Sequence, residues 1–213
     1  MKDIVIIGAG GLGREVAYLL DELNSRMKQW NLLGFIDDNP DLQNTFVGDY
    51  PVLGDVKWLM KYSKRLSVIC GIAKPAFRIN IMEMIRRNPL FDYPNIIADN
   101  VILSKRVQLG IGNIILYSTT FTVDISIGNF NIINPGCTIG HDVVIKDYVT
   151  VYPGVNISGN VKIDQAVEIG TGSQIIQGLS ICSDTIIGAG GVVIRNIKEK
   201  GTYVGVPVRK LSK

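Results

Sequence analysis

Apolar residues recur at every sixth position through the second part of the chain. None of the seventeen positions is polar: they are Ile97, Leu103, Leu109, Ile115, Phe121, Ile127, Ile133, Ile139, Ile145, Val151, Ile157, Ile163, Ile169, Ile175, Ile181, Ile187 and Val193. This period matches neither the two-residue alternation of a strand nor the 3.6-residue turn of a helix. A long internal repeat of this kind decides the architecture. We therefore predict a coil with three short faces, each contributing one inward aliphatic side chain.

A second regularity supports the three-faced coil. The fourth position after the periodic residue is often small or β-branched, as at Val143, Val149, Val155, Val161, Val167, Ser173 and Thr185. Three six-residue units make an 18-residue coil, and parallel strands of successive coils should stack about 4.8 Å apart. Nearly six coils then give a prism roughly 27 Å tall, with continuous ladders of apolar side chains inside. Residues 196–213 leave the repeat, and we expect them to cap its open end.

Strands and helices alternate in the pattern of residues 1–92. Short apolar strands are predicted at 3–7, 32–36, 50–53 and 66–71, and helices at 14–28, 54–63 and 76–88, with a glycine turn at 8–13. This alternation is typical of a parallel sheet. Three or four strands fill about half of a full dinucleotide-binding fold. We assign residues 1–92 to this half domain and residues 93–213 to the prism and its cap.

Composition narrows the classes of function. The formal net charge is +3, with 19% charged and 46% apolar residues, which is typical of a folded globular chain. Lysines and arginines are scattered without interleaved aromatic residues, so we expect no nucleic-acid partner. The three cysteines are far apart and form no zinc motif, which predicts a cytoplasmic protein without a metal site. No run of about 18 apolar residues is present, so we expect no membrane span.

Several longer motifs connect the two domains to a known family. They are "IVIIGAGGLGREV", "GFIDDN", "IGHDVVIKDYVTVYPGVNISGNVKI" and the ending "GTYVGVP". With them the whole chain resembles the hexapeptide-repeat sugar acetyltransferases, in the branch of nucleotide-sugar 4-amino N-acetyltransferases and sialic acid O-acetyltransferases. The resemblance implies a Rossmann-like α/β half domain followed by a left-handed parallel β-helix. It also implies a homotrimer that uses acetyl-CoA as cosubstrate and a nucleotide-linked amino sugar as acceptor, without NAD or a metal.

The same resemblance assigns roles to individual residues. His141 stands where the family keeps its catalytic base, and Asp142 stands where an acidic neighbour tunes that base. The phosphates of the nucleotide sugar would contact Gly10, Gly11 and Leu12. Its base or ribose would contact Asp37 and Asp38. Gly71, in the loop at the end of the strand predicted at 66–71, would contact the same ligand. Acetyl-CoA would lie in a cleft between neighbouring prisms, along Thr150, Thr171 and Ala189. Family members often have "GGHG" where this chain has "GGLG". Because Leu12 cannot form side-chain hydrogen bonds, we expect a changed acceptor site.

Acetyl transfer from a thioester to a sugar amine or hydroxyl is helped by a base that works near neutral pH, and histidine is the natural choice. His141 is the only histidine of the chain and follows a glycine of the repeat. The alternatives are that His141 is merely a surface or core residue and Asp142 a solvated carboxylate. Cys137, four residues earlier, could form a Cys–His nucleophile. However, Cys137 occupies a small inward position of the coil, which favours a packed, inert thiol and direct transfer.

The glycine turn has more than one interpretation. Its backbone N–H groups and the following helix suit any diphosphate, and a tight strand–helix turn without a ligand would look the same. Three functional hypotheses follow for the chain. The first is N-acetylation of the 4-amino group of a nucleotide-linked 4-amino-4,6-dideoxy sugar. The second is O-acetylation of sialic acid or another surface sugar, and the third is a non-catalytic scaffold that binds nucleotide sugars.

Overall fold

A mostly parallel six-stranded sheet with helices forms the first of two compact units, Met1–Ile96, in the computed structural model, which describes residues 1–211. Its elements are β1 (Lys2–Ile7), α1 (Gly11–Arg26), β2 (Trp30–Ile36), a 3₁₀ turn (Pro40–Leu42), β3 (Phe46–Val47), β4 (Tyr50–Gly54), α2 (Val56–Met60), β5 (Leu66–Cys70), α3 (Pro75–Ile85) and β6 (Phe91–Asp92). The strand order is β3-β4-β2-β1-β5-β6, and only the β3–β4 pair is antiparallel. The predicted parallel sheet is confirmed. Strands β3 and β6 were not predicted, because two residues are too short to show a period.

Helix α1 begins earlier than its apolar spacing predicts. It starts at Gly11 rather than Arg14, and it buries Val16, Leu19 and Leu20 against the sheet. The start of the helix lies very close to the end of β1, since a Cβ placed on Gly13 would stand 1.8 Å from the carbonyl oxygen of Gly8. Only glycine allows this approach, so the glycines that read as a loop belong partly to the first helical turn.

Three mostly parallel sheets form the second unit, which runs from Ile97 onward. Its strands are β7 (Ile96–Ile97), β8 (Ile102–Leu103), β9 (Val107–Leu109), β10 (Ile114–Ile115), β11 (Thr120–Phe121), β12 (Ile125–Ile127), β13 (Ile132–Ile133), β14 (Thr138–Ile139), β15 (Val144–Ile145), β16 (Thr150–Val151), β17 (Asn156–Ile157), β18 (Lys162–Ile163), β19 (Glu168–Ile169), β20 (Gln174–Ile175), β21 (Ser180–Ile181), β22 (Thr185–Ile187), β23 (Val192–Val193), β24 (Gly201–Val204) and β25 (Arg209–Lys210). The first face holds β7-β10-β13-β16-β19-β22-β24-β25, the second holds β8-β11-β14-β17-β20-β23, and the third holds β9-β12-β15-β18-β21.

The strand register confirms the 18-residue coil. On the first face Ile114 pairs with Ile132, and Ile132 pairs with Thr150, each 18 positions along the chain. The second face keeps the same offset, as Thr120 pairs with Thr138 and Thr138 with Asn156. This unit is therefore a parallel β-helix, and its cross-section is a triangle with three corners.

The repeating apolar residues form the core of the prism, except at its first coil. All periodic positions from Ile115 to Val193 are at most 3% exposed, and the small positions from Val143 to Thr185 that the sequence singled out are buried as well. The expectation fails at Leu103, which is 37% exposed, and in part at Ile97 and Leu109, which are only partly buried. These three residues lie on the first coil, which has a stacked coil on one side only.

The described part of the predicted cap covers the last coil. Strand β24 adds to the first face in parallel, and β25 pairs with β24 in the antiparallel direction. Tyr203 and Val208 pack against the core. The predicted cap also includes residues 212 and 213, which lie outside the described residues. Among the helices within residues 1–211, none is long and apolar enough to cross a membrane; α1, the longest, has 16 residues.

Candidate active site

His141 lies at the corner between the second and third faces of the prism, two residues after β14. Its Nδ1 is 2.8 Å from Oδ2 of Asp142, and the two side chains are 61% and 58% exposed. An ionised carboxylate can only accept a hydrogen bond, so in this pair Nδ1 donates to Asp142. Nε2 is then the ring nitrogen that is not engaged by Asp142.

The backbone at this corner is fixed by the coils on either side. The N–H of Asp142 donates to the carbonyl of Val123 on the preceding coil at 3.2 Å, and the N–H of Asn160 on the following coil donates to the carbonyl of His141 at 2.7 Å. Asp142 has a φ of 60°, which turns the chain sharply after the histidine. The backbone of His141 is therefore held in place, and only its side chain is able to rotate.

An ion pair spans the two coils before the His141–Asp142 pair. Asp124 stands 18 positions before Asp142, and Arg106 donates to both of its carboxylate oxygens at 2.8 and 2.6 Å. The guanidinium thus balances a second carboxylate in the same column of the corner. Both side chains are exposed, so this pair contributes little to folding stability.

Cys137 does not take part in a Cys–His pair. Its side chain is completely buried, and the thiol donates to the carbonyl oxygen of Tyr152 at 3.2 Å. Burial raises the pKa of this thiol to about 11, so the group stays protonated near neutral pH. The packed position expected for this thiol is confirmed, and its burial disfavours a role as nucleophile.

The glycine loop of the first unit places an uncapped helix end beside two carboxylates. Gly10 precedes α1 and gives it no side-chain cap, and a Cβ on Gly10 or Gly11 would meet nothing within 4 Å. Leu12 follows in the first turn and is partly exposed. The first N–H groups of a helix carry partial positive charge, so this end suits a phosphate group.

Asp37 and Asp38 are both held by backbone N–H groups. Asp37 accepts from the N–H of Ala9 at 2.8 Å and from that of Asn39 at 2.9 Å, while Asp38 accepts from the N–H of Val56 at 2.9 Å. The sequence analysis predicted that these carboxylates contact a nucleotide, but it did not predict that they also accept hydrogen bonds from the backbone of neighbouring loops. The carboxylate of Asp37 ties the end of β2 to the glycine loop.

Gly71 lies where β5 approaches the start of α1. It is buried, its N–H donates to the carbonyl of Ile7 at 2.8 Å, and a Cβ there would lie 2.9 Å from the Cα of Gly13. Its contribution to the site is therefore close packing of two backbone segments. The same loop is held by Arg78, a fully buried residue of α3 that donates to the carbonyls of Ile72 and Ala73 at 2.7 Å each.

The three residues expected along the acetyl-CoA cleft do not share one surface. Thr150 has no exposed surface, so its side chain is not available to a ligand in this chain and we leave it out of the proposed site. Thr171 and Ala189 are exposed and stack in successive coils, where the N–H of Gly190 donates to the carbonyl of Thr171 at 2.8 Å. They lie at the corner between the first and second faces. One prism therefore carries this pair and His141 at different corners.

Two functional features were missed by the sequence analysis. Gly159 lies 18 positions after His141, and a Cβ built on it would fall 2.5 Å from Cε1 and Nε2 of the imidazole. The repeat length alone could have placed this glycine beside the histidine. Arg78 could have been noticed because it falls on the same helix face as Met82 and Ile85, both buried. Within residues 1–211 no group of three His, Cys, Asp or Glu side chains could hold a metal ion.

Comparisons with known proteins agree for both units. Residues 3–85 match the PglD N-terminal domain family. WeeI from Acinetobacter baumannii AYE is 30% identical, with a TM-score of 0.88 and an alignment covering 99% of this chain and 100% of that one. The acetyltransferase domain of PglB from Neisseria gonorrhoeae FA1090 in complex with acetyl coenzyme A is 26% identical, with a TM-score of 0.88 and coverage of 99% of both chains.

A third solved structure is a histidine-to-asparagine variant of perosamine N-acetyltransferase from Caulobacter crescentus in complex with CoA and GDP-perosamine. It is 25% identical, with a TM-score of 0.86, and the alignment covers 100% of this chain and 98% of that one. The chain has no significant match among curated proteins.

Proposed function

The chain belongs to the hexapeptide-repeat sugar N-acetyltransferases, and from this premise we propose that it acetylates the 4-amino group of a nucleotide-diphosphate-linked 4-amino-4,6-dideoxy sugar. It is an acetyltransferase built from a Rossmann-like half domain and a left-handed parallel β-helix. Acetyl-CoA is the proposed acetyl donor, in line with the acetyl coenzyme A and CoA held by the structurally similar proteins. The class of acceptor is supported by the GDP-perosamine held by one of them.

The observation that carries the proposal is the hydrogen bond between His141 Nδ1 and Asp142. The sugar nitrogen attacks the thioester carbonyl and forms the C–N bond, while Nε2 of His141 takes the proton that the nitrogen loses. The tetrahedral intermediate then expels the sulfur of CoA, and the imidazolium returns the proton to it as the C–S bond breaks. The products are an amide and CoA with a free thiol. Asp142 keeps the ring oriented and stabilises its positive charge.

The first unit binds the nucleotide part of the acceptor in this proposal. The diphosphate would meet the uncapped first turn of α1, beside Gly10, Gly11 and Leu12. Asp37 and Asp38 would accept hydrogen bonds from the ribose or the base with the lone pairs that their backbone contacts leave free. Gly71 shapes the loop next to them. Leu12 offers only apolar contact, which makes it the residue that sets this acceptor site apart.

A homotrimer would complete the acetyl-CoA site. His141 stands at one corner of the prism, whereas Thr171 and Ala189 stand at another, so one chain alone does not bring them together. A cyclic threefold arrangement sets one corner of each prism beside a different corner of its neighbour. Sedimentation should give about 70 kDa, three times the 23.3 kDa chain. A monomer that is fully active would contradict this part of the proposal.

A cytoplasmic location is part of the proposal. Cys70, Cys137 and Cys182 are free thiols. Free thiols are typical of a reducing compartment, in which acetyl-CoA and nucleotide sugars are also found.

The experiment that tests the proposal measures release of the CoA thiol from acetyl-CoA with a panel of acceptors. The panel holds UDP-, dTDP- and GDP-linked 4-amino sugars, CMP-linked and free sialic acid, and a neutral sugar. We expect turnover with one of the nucleotide-linked amino sugars and a rate lower by roughly 10²–10⁴ in His141→Ala. Turnover with sialic acid alone would support O-acetylation instead, and a loss below tenfold in His141→Ala would exclude the histidine as base.

Binding of acetyl-CoA separates an enzyme from a scaffold. A cosubstrate present at about 100 times its Kd adds roughly 2.7 kcal/mol to the unfolding free energy. We expect the melting temperature to rise with acetyl-CoA in both the parent protein and His141→Ala. No change in either protein would contradict the proposal.

A further inference from the structure

Gly159 lies directly beneath the imidazole of His141, one coil further along the prism. A Cβ built on Gly159 would fall 2.5 Å from both Cε1 and Nε2 of the ring and 2.9 Å from Nδ1. No pair of non-bonded carbon or nitrogen atoms approaches so closely, so a side chain at this position and the observed ring position exclude each other. We infer that Gly159 is a positioning residue, whose missing side chain allows the ring of His141 to lie where Asp142 holds it. The inference rests on the proposed role of His141 as base.

The backbone at this corner cannot relieve the contact. The carbonyl of His141 accepts from the N–H of Asn160 at 2.7 Å, and that of Gly159 accepts from the N–H of Gly178 at 3.0 Å. Moving either main-chain segment would break hydrogen bonds between stacked coils. The side chain of His141 is 61% exposed and can rotate toward solvent at little cost. An added methyl group at Gly159 should therefore displace the imidazole rather than unfold the coil.

Displacement of the ring has a specific consequence for the His141–Asp142 pair. The Nδ1–Oδ2 distance of 2.8 Å depends on one side-chain rotamer, and a rotation of the ring away from Gly159 lengthens it beyond hydrogen-bond range. The ring then loses both its orientation and its fixed tautomer. Displacing a catalytic group by about 1 Å can cost on the order of 10²-fold in rate.

Crowding around another corner glycine provides a matched control. A Cβ on Gly128 would meet Oδ1 of Asp147, and it would also fall 2.9 Å from the carbonyl carbon of Lys146 and 3.1 Å from the backbone nitrogen of Asp147. The last two neighbours are main chain, which cannot swing away. We expect Gly128→Ala to lower the melting temperature clearly, whereas Gly159→Ala should keep a melting temperature close to that of the parent protein.

A double-variant cycle tests whether Gly159 acts through His141. We expect Gly159→Ala to lower kcat by on the order of 10–10²-fold, with the KM for acetyl-CoA unchanged. In the His141→Ala background the same substitution should cost nothing further, because the ring it displaces is gone. An equal loss in both backgrounds, or a parent-like kcat in Gly159→Ala, would overturn the inference. A parent-like kcat in His141→Ala would instead overturn the proposed function.

Nuclear magnetic resonance reports the ring position without any turnover. His141 is the only histidine of the chain, so histidine labelled at Cε1 gives one ring signal in the protein after removal of any purification tag. We expect this signal to move in Gly159→Ala toward the shift of a solvated imidazole, and to move similarly in Asp142→Ala. A signal that stays in place in Gly159→Ala while it moves in Asp142→Ala would contradict the inference.

Discussion

The carboxylate of Asp37 accepts the backbone N–H of Ala9 at 2.8 Å. This bond joins the end of β2 to the glycine loop that follows β1. The second carboxylate oxygen accepts the N–H of Asn39 at 2.9 Å, so one side chain holds two loops at the same edge of the sheet. The loop that we propose for the diphosphate is therefore built before any ligand arrives.

We expect Asp37→Ala to weaken both folding and substrate binding. Two backbone N–H groups lose a charged acceptor, and a hydrogen bond of this kind contributes about 1.5–3 kcal/mol. Urea denaturation without ligand should show a lower midpoint, and the KM for the nucleotide sugar should rise. The exposed Asp41 in the same segment offers a control, since Asp41→Ala should change neither quantity. A parent-like midpoint in Asp37→Ala would show that the bond is not structural.

Substitution of Arg78 tests how the loop after β5 is held. Arg78→Met removes a fully buried charged donor from the carbonyls of the partly buried Ile72 and Ala73, and we expect a loss of about 2–4 kcal/mol of unfolding free energy. Chemical denaturation measures it. Arg87→Met changes an exposed residue that follows the end of α3 and should leave stability unchanged. Equal effects of the two substitutions would contradict the role of Arg78.

The buried thiols predict a loss of stability in alkaline solution. Burial raises the pKa of Cys70 and of Cys137 to about 11, against 9.0 for a thiol in the unfolded chain. Between these values the unfolded chain loses protons that the folded chain keeps, so stability is fully present below pH 9 and falls as the pH rises toward 11. Urea midpoints at increasing pH measure the fall. Removing both thiols by Cys70→Ala and Cys137→Ala should flatten this dependence, and an unchanged slope would exclude the thiols as its cause.

Cys137 itself should be dispensable for the reaction. Because its thiol is buried and protonated near neutral pH, we expect Cys137→Ala to keep a kcat within about twofold of the parent value and the folded protein to resist thiol reagents at this position. Mass spectrometry after alkylation locates the label, and Cys182, which is partly exposed, serves as the internal comparison. Loss of turnover in a folded Cys137→Ala protein would instead support a pathway in which Cys137 forms an acyl-enzyme intermediate.

The inward ladder can be tested with one charged substitution. Val151 is completely buried in the prism, and Val151→Asp would place a carboxylate without a partner among aliphatic side chains. We expect the cooperative thermal transition to be lost or strongly lowered, as followed by circular dichroism. Gln174→Asp puts the same charge on an exposed outward position of β20 and should be tolerated. If both variants melt alike, the assignment of inward positions is wrong.

The sequence predicted the prism better than the first unit for a physical reason. Every coil repeats the environment of the previous one, so one period located the buried positions from Ile115 to Val193. The first coil lacks that repetition on one side, and Leu103 accordingly broke the expectation. In the first unit the bounds of α1 depended on the close approach of Gly8 and Gly13, which no local pattern contains.

Some residues of the site could be predicted from the repeat, whereas others depend on contacts between distant segments. The period placed His141 at a corner, and adding 18 residues would also have found Gly159. The contacts of Asp37 and Arg78 join segments that are distant in sequence, and they follow from the way the sheet and helices pack. The burial of Thr150 does not follow from the inward ladder, because Thr150 alternates with the inward residue Val151, yet Ile114 and Ile132 in the same column are buried as well.

The short strands β24 and β25 have a consequence for how the protein behaves at high concentration. A stack of parallel coils ends in unpaired backbone groups, which are a template for another chain to add to. Here the N–H of Val192 donates to Gly205, that of Val208 donates to Val192, and that of Cys182 donates to Ile197. The segment around β24 and β25 thus pairs backbone groups of the last coil within the same chain, which leaves fewer of them open for another chain to add to.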